Sequence, residues 1–223
     1  KVQALQENLL GKTSDDMVKA NIYAFKRRFL QPLALPPANA LAKAMTSPMT
    51  DSGKMQVMLA YFLHSDALAE NCYAGLVLPR LQQRPGRLAR AEVEAHVVRL
   101  SGTHPELAQW ADYLRLRWSR GFMNLLRQFG LMERHPSTQL IRMWLLADAF
   151  AFLLLWLWHG TQSLAGAREN LVWQLLQVDG ALWNKLLDEG QLRGWWDYQQ
   201  AGKIVSFQPR YTSVEEWIAH GLA

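Results

Sequence analysis

The sequence predicts a mainly α-helical protein: an N-terminal helical bundle over residues 1–135, then a C-terminal part, residues 136–223, in which an apolar helix leads into a winged-helix-like module with one β-hairpin. Three observations predict it. Apolar residues recur at three- and four-residue spacing through the first two thirds of the chain. Eight of the ten tryptophans lie after position 140. Near the C-terminus the period switches to aromatic and β-branched segments around a glycine-containing turn. Half of the 223 residues are apolar and 19% are charged. A chain of this length buries roughly 70% of the surface it exposes when unfolded, which excludes intrinsic disorder as its main state.

Taken in order, Ser14 is placed to cap a helix whose Val18, Ile22, Phe25 and Phe29 form one stripe, and Pro32 ends the run. Pro36 and Pro37 open a short helix through about Met45, and Thr50 or Asp51 caps a third that continues to His64. Ser65 starts a fourth, ending at Pro79. The stretch from Arg80 to Arg90 is a basic, loop-like connector, and another short helix covers Ala91 to Leu100. A long helix is expected from Pro105 to Gly130, a left-handed C-cap candidate. On its wheel Leu107, Leu114, Trp118, Phe122, Leu125 and Phe129 fall in one sector and Arg117, Arg120, Asn124 and Arg127 in another. One side packs and the other is cationic.

The segment from Met143 to Trp158 is apolar except for Asp148. Sixteen residues make about 24 Å of helix against a hydrocarbon core of about 30 Å, so a buried or partner-covered helix is expected and not a membrane span. Asp148 then needs a hydrogen-bond partner or a raised pKa, and a structural hydrogen bond is the expectation. Ala167 to Gln177 and Ala181 to Glu189 read as short helices joined at Val178-Asp179-Gly180. Gly194 to Tyr198 and Lys203 to Phe207 read as a hairpin turning at Gln199-Gln200-Ala201-Gly202. Trp195 and Trp196 would point to opposite faces of one strand, which leaves room for one to be exposed, with core packing as the default expectation for the tryptophans. Ser213 and Glu216 fit a capping box for a last helix.

Lys and Arg number 24 and Asp and Glu 19, a net charge of +5. One cysteine, Cys72, excludes an internal disulfide and a multi-cysteine zinc cage, and suggests a reducing, cytoplasmic setting. The first thirty residues lack a signal-peptide pattern. Lys1 in place of Met suggests that the natural start is missing. HExxH, GxxxxGK[ST] and GxSxG are absent, so no enzyme and no cofactor is expected. Glu92, Glu94 and His96 are taken as an exposed helix surface rather than a metal site, and Cys72 as a small core residue.

A helix, a tight turn, a second helix and a hairpin follow the order of a winged helix-turn-helix, which can seat its second helix in the major groove. Candidate contacts there are Lys185 and Asn184 on the second helix and Arg193, Gln199, Gln200 and Lys203 on the wing. The stronger electrostatic feature is the stripe of Arg117, Arg120, Asn124 and Arg127, because guanidinium groups on one rigid helix can bridge phosphate oxygens. Lys26, Arg27, Arg28 and the Arg80 to Arg90 connector add positive charge.

The segment Trp110 to Met132 (WADYLRLRWSRGFMNLLRQFGLM) resembles the helix ending in a Gly-Leu-hydrophobic signature in BrxA proteins of BREX phage-defence systems. Glu7-Asn8-Leu9-Leu10 with Ser14 and Lys26-Arg27-Arg28 resembles that family's early region. Gly202-Lys203-Ile204-Val205 leading to Ser213-Val214-Glu215-Glu216-Trp217 resembles its terminal hairpin and helix. One departure is expected: the family's additional N-terminal helical segment is lacking or lost in the sequence as given. The resemblance implies a non-enzymatic, cytoplasmic, NusB-like helical accessory protein that binds DNA and co-operates with a methyltransferase and other defence proteins. The resulting expectation is duplex DNA binding by phosphate neutralisation at Arg117, Arg120 and Arg127, assisted by Lys185, Arg193 and Lys203. The alternatives are a protein-interaction scaffold, favoured by exposed apolar surface around Met143 to Trp158, and an RNA-binding module.

Overall fold

A computed structural model describes residues 14–30, 36–82, 86–202 and 204–222. Helix α1 spans Asp15–Phe25 and runs into a π turn, Lys26–Leu30; Ser14 caps it by accepting from the Met17 N–H. Helices α2 (Ala38–Thr46) and α3 (Asp51–Ser65) follow, α3 capped by Thr50. The expected fourth helix is interrupted. It comprises α4 (Ala67–Cys72), a π turn (Tyr73–Val77) and α5 (Leu78–Leu81), with Asp66 rather than Ser65 as its cap. Pro79 sits in the first turn of α5, where its missing N–H costs no helical hydrogen bond.

Helix α6 covers Arg90–Leu100. The helix expected from Pro105 to Gly130 is broken into α7 (Pro105–Ala108) and α8 (Asp112–Gln128). No proline or glycine marks the break. Trp110 lies in it and packs against the core, an arrangement set by contacts distant in sequence. Gly130 ends the turn after α8 with φ +71°, the left-handed conformation for which glycine is suited.

The apolar segment begins as extended chain, and its helix α9 covers Ala147–Thr161. Two short helices, α10 (Leu164–Arg168) and α11 (Leu171–Leu175), stand where one was expected from Ala167 to Gln177. Helix α12 (Gly180–Leu192) is capped by Asp179, and strands β1 (Trp196–Ala201) and β2 (Ile204–Pro209) pair antiparallel with Tyr198 opposite Phe207. Helix α13 (Val214–His220) closes the chain with Ser213 as its cap. The fold is mainly α with a single two-stranded hairpin among the described residues. The helix, turn, helix and hairpin order expected near the C-terminus is present.

Helix α9 is the axis of this arrangement. Every residue from Ala147 to Leu155 is buried, and the helix packs against α3, α10, α12 and α13. Phe150 lies 5.1 Å from the Trp173 ring, 5.2 Å from Trp183 and 6.3 Å from Trp196, so a single aromatic contact set ties α9 to α11, α12 and the hairpin. Trp195 and Trp196 are both buried, at 2% and 0% exposure. Core packing, the default expectation, therefore holds for both; they do not share one strand, because Trp195 precedes β1 and turns its ring onto Trp217, 5.3 Å away at 89°. One buried cluster contains side chains from Ala40 to Ile218 and so draws on both sides of position 135. No described helix is long and apolar enough to cross a membrane.

Asp148 is 7% exposed. Its carboxyl group accepts from the Thr50 N–H and the Thr50 hydroxyl, each at 2.8 Å, and from the Ala149 N–H at 2.8 Å. It therefore sits at the amino end of α3, where unpaired N–H groups and the helix dipole favour an acid. A Cβ at Gly53 would lie 2.3 Å from its Oδ1, so glycine is what permits the approach. Beside it, Gln56 donates to the Trp144 carbonyl at 2.8 Å and accepts from the Leu146 N–H at 2.9 Å. These contacts form the structural hydrogen bonding expected for Asp148. Replacing Asp148→Ala removes the charged acceptor shared by the Thr50 N–H, the Thr50 hydroxyl and the Ala149 N–H and is expected to cost about 1–3 kcal/mol in urea unfolding; Gly53→Ala is expected to lower stability as well. Unchanged midpoints in both variants would contradict this account.

Candidate nucleic-acid interface

Helix α8 presents Arg117, Arg120 and Asn124 to solvent. Among the described residues Arg117 and Arg120 form no ion pair and no side-chain hydrogen bond. Arg127 is different. Its Nε donates to the Glu133 carbonyl at 3.2 Å and a terminal nitrogen to the Ser137 carbonyl at 3.1 Å, pinning the loop that follows Gly130. The other terminal nitrogen reaches Asn124 Oδ1 at 3.4 Å. The cause is a rotation of the helix. Its buried residues are Ser119, Phe122, Met123 and Leu126, and on a wheel of 100° per residue that arc lies roughly 90° from the sector expected to pack. Arg127 is thereby carried toward the loop, while Leu114, Trp118 and Leu125 are left half-buried at the other edge.

That edge forms one wall of a groove of about 750 Å³, lined on α8 by Arg117, Trp118, Gly121, Asn124 and Gln128. Trp110, from the break before α8, and Asn21 and Arg28, from α1 and its π turn, complete the lining together with Phe62 and Asp66. Arg28 ion-pairs with Asp66 at 3.1 Å, and Arg27 approaches the same oxygen at 3.8 Å. Asn124 belongs to the stripe expected from sequence, whereas Arg28, Trp110, Asn21 and Gln128 were not singled out by sequence as a site. Arg28 was counted only as diffuse charge, since the approach of α1 to α8 is tertiary.

Lys185 and Arg193 line a separate crevice of about 240 Å³ with Trp144 and Asp148, and it shares no lining residue with the groove. Lys185 is exposed and unpaired among the described residues. Arg193 ion-pairs with Glu189 at 2.6 Å and covers the Trp195 ring at 5.1 Å. On the hairpin, Gln199 and Gln200 are exposed, and Arg210 is paired with Asp197 at 2.7 Å. Lys203 lies outside the described residues. Asn184 faces a third cavity, between α12 and the hairpin, with Arg168 and Gln208.

The other sequence candidates have structural partners. Glu92 accepts from the Ala89 N–H and pairs with Arg80; chiefly the former, then the latter, hold its carboxyl below the usual range. Glu94 pairs with Arg90 at 2.7 Å, and His96 meets Asn71 at 3.0 Å. No group of three or more His, Cys, Asp or Glu suited to a metal ion occurs among the described residues. Cys72 is fully buried, and burial, reinforced by the nearby Asp66, pushes its thiol up to about 12.

A family model described as BrxA matches residues 1–154, more than two thirds of the chain. This chain belongs to the BrxA family. Its matched region includes α8, the groove and most of α9, and membership makes it a BREX-associated defence protein. No curated protein and no solved structure gives a match.

Two outcomes check the site's internal roles in this BrxA-family chain. Arg127→Ala is expected to lower unfolding stability by about 1 kcal/mol and to open the 131–140 loop to limited proteolysis, whereas Arg120→Ala changes stability by less than about 0.5 kcal/mol. Cys72 is expected to resist alkylation at neutral pH until denaturant is added, measured by thiol labelling followed by mass spectrometry.

Proposed function

We propose that this chain is a non-enzymatic accessory protein of a BREX-type phage-defence system that binds duplex DNA through its phosphates. The supporting observation is the pair Arg117 and Arg120, exposed on one rigid helix and left without an acidic partner among the described residues. Three residues of helix separate them by a rise of about 4.5 Å, so both can address one phosphate track. Counterion release then supplies the affinity, with little discrimination between sequences. Lys185, Arg193 and Lys203 on the winged-helix-like part are secondary contacts. Arg193 first has to exchange Glu189 for phosphate. The protein acts in the cytoplasm alongside other defence proteins, a methyltransferase among them.

A docking role for the apolar segment is less well supported. From Met143 to Trp158 only Trp144 is exposed, at 57%, and it lies under Arg142. A gel-shift titration with an arbitrary duplex at two salt concentrations tests the proposal. The expected dissociation constant is on the order of 10⁻⁴ to 10⁻⁶ M at physiological salt. The double variant Arg117→Ala, Arg120→Ala is expected to weaken binding and to flatten the salt dependence by about 0.9 per arginine. Failure to shift any duplex at low salt rejects the proposal.

A further inference from the structure

We infer that the groove between α1 and α8 receives one unpaired nucleotide of a DNA strand whose neighbouring phosphates lie on Arg117 and Arg120. The inference rests on the DNA-binding reading and names the part of the ligand that this site would take. Its volume, about 750 Å³, falls in the range of small-molecule sites. Its lining combines the three features that such a ligand requires.

The first is a stacking surface. Trp118 and Trp110 are both half-buried, and Trp118 is itself stacked on Phe122 at 5.3 Å and 10°, which holds its ring in one orientation. A base laid against it loses little side-chain freedom, and such stacking is sequence-tolerant. The second is a set of amides, Asn21, Asn124 and Gln128, able to donate to and accept from a base edge. The third is positive charge. Arg28 and Arg117 line the groove with one acid, Asp66, whose carboxyl group is already paired with Arg28 at 3.1 Å and approached by Arg27 at 3.8 Å, which leaves the Arg117 guanidinium for the ligand.

A paired base cannot reach such a groove without leaving its stack, which costs a few kcal/mol and costs least where the base is already unpaired. A bulged duplex should therefore bind more tightly than a paired one. Gly121 makes the test clean, because a Cβ there meets nothing within 4 Å and the added side chain enters the groove instead of the core.

Fluorescence anisotropy is to compare a paired DNA duplex, the same duplex with one central unpaired thymine, and single strands of DNA and RNA of equal sequence. The bulged duplex is expected to bind about tenfold more tightly than the paired one, the equivalent of one stacked base. Gly121→Leu and Trp118→Ala are expected to abolish that advantage, and Trp118→Phe to restore most of it, with circular dichroism melts confirming each fold. Equal affinity for the two duplexes, or an advantage that survives Gly121→Leu, overturns the inference while leaving phosphate binding intact. Absence of binding to the paired duplex while the bulged duplex or DNA strand binds overturns the duplex reading instead. Absence of binding to every probe overturns both. Tighter binding of the RNA strand than of the DNA strand overturns the assignment to DNA.

Discussion

Asp148 lies near the amino end of the most buried helix of the fold, and the structure around it depends on keeping that carboxyl group satisfied. Burying a polar group without partners is costly, and the cost is much larger for a charge. Here the partners come from a segment almost a hundred residues earlier. Thr50 supplies its N–H and its hydroxyl, and Gly53 leaves the room in which the acid fits. The Gln56 amide spans α3 and the extended chain entering α9 in both directions. A purely apolar α3–α9 contact could slide along its length; these directional bonds define one register, and the other elements assemble around it.

Two kinds of surface arise from that assembly. On the C-terminal side tryptophan rings fill the space between α9, α11, α12 and the hairpin, and the indole N–H groups of Trp173, Trp196 and Trp195 donate to the backbone carbonyls of Ala167, Leu187 and Gly221. Acids near the exposed cations partly neutralise them there. On the N-terminal side α8 is turned so that one edge of its apolar sector is uncovered, with arginines along the rim. Aromatic and cationic groups therefore share a groove on α8, and the proposed DNA contact rests on that face rather than on the hairpin.

Much of this was legible in the primary order. The caps at Ser14 and Ser213 were evident, and that of α3 was narrowed to Thr50 or Asp51, because a short side chain that bonds its own backbone is a local device. The terminal hairpin could be read from its aromatic and β-branched residues, although Gln199, Gln200 and Ala201, expected in its turn, belong to β1, and hydropathy and length predicted the burial that holds from Ala147 to Leu155 but not at Trp144. The break at Trp110 could not be read, since nothing in the adjacent residues disfavours helix. Nor could the role of Arg127, which resembles Arg120 in a sequence pattern but meets the carbonyls of a loop ten residues on.

Local chemistry thus determined by itself that this chain is mainly helical, where many of its helices begin, and that most of its long apolar segment goes inside. Periodicity, capping and turn preferences act over a few residues and survive in a single sequence. Tertiary structure alone decided which sector of α8 faces inward, which arginines keep a free guanidinium, and that Arg28 and Trp118 share a cavity. Those outcomes depend on the rotation of one packed helix against another, a quantity set by the volume and hydrogen bonding of residues distant along the chain.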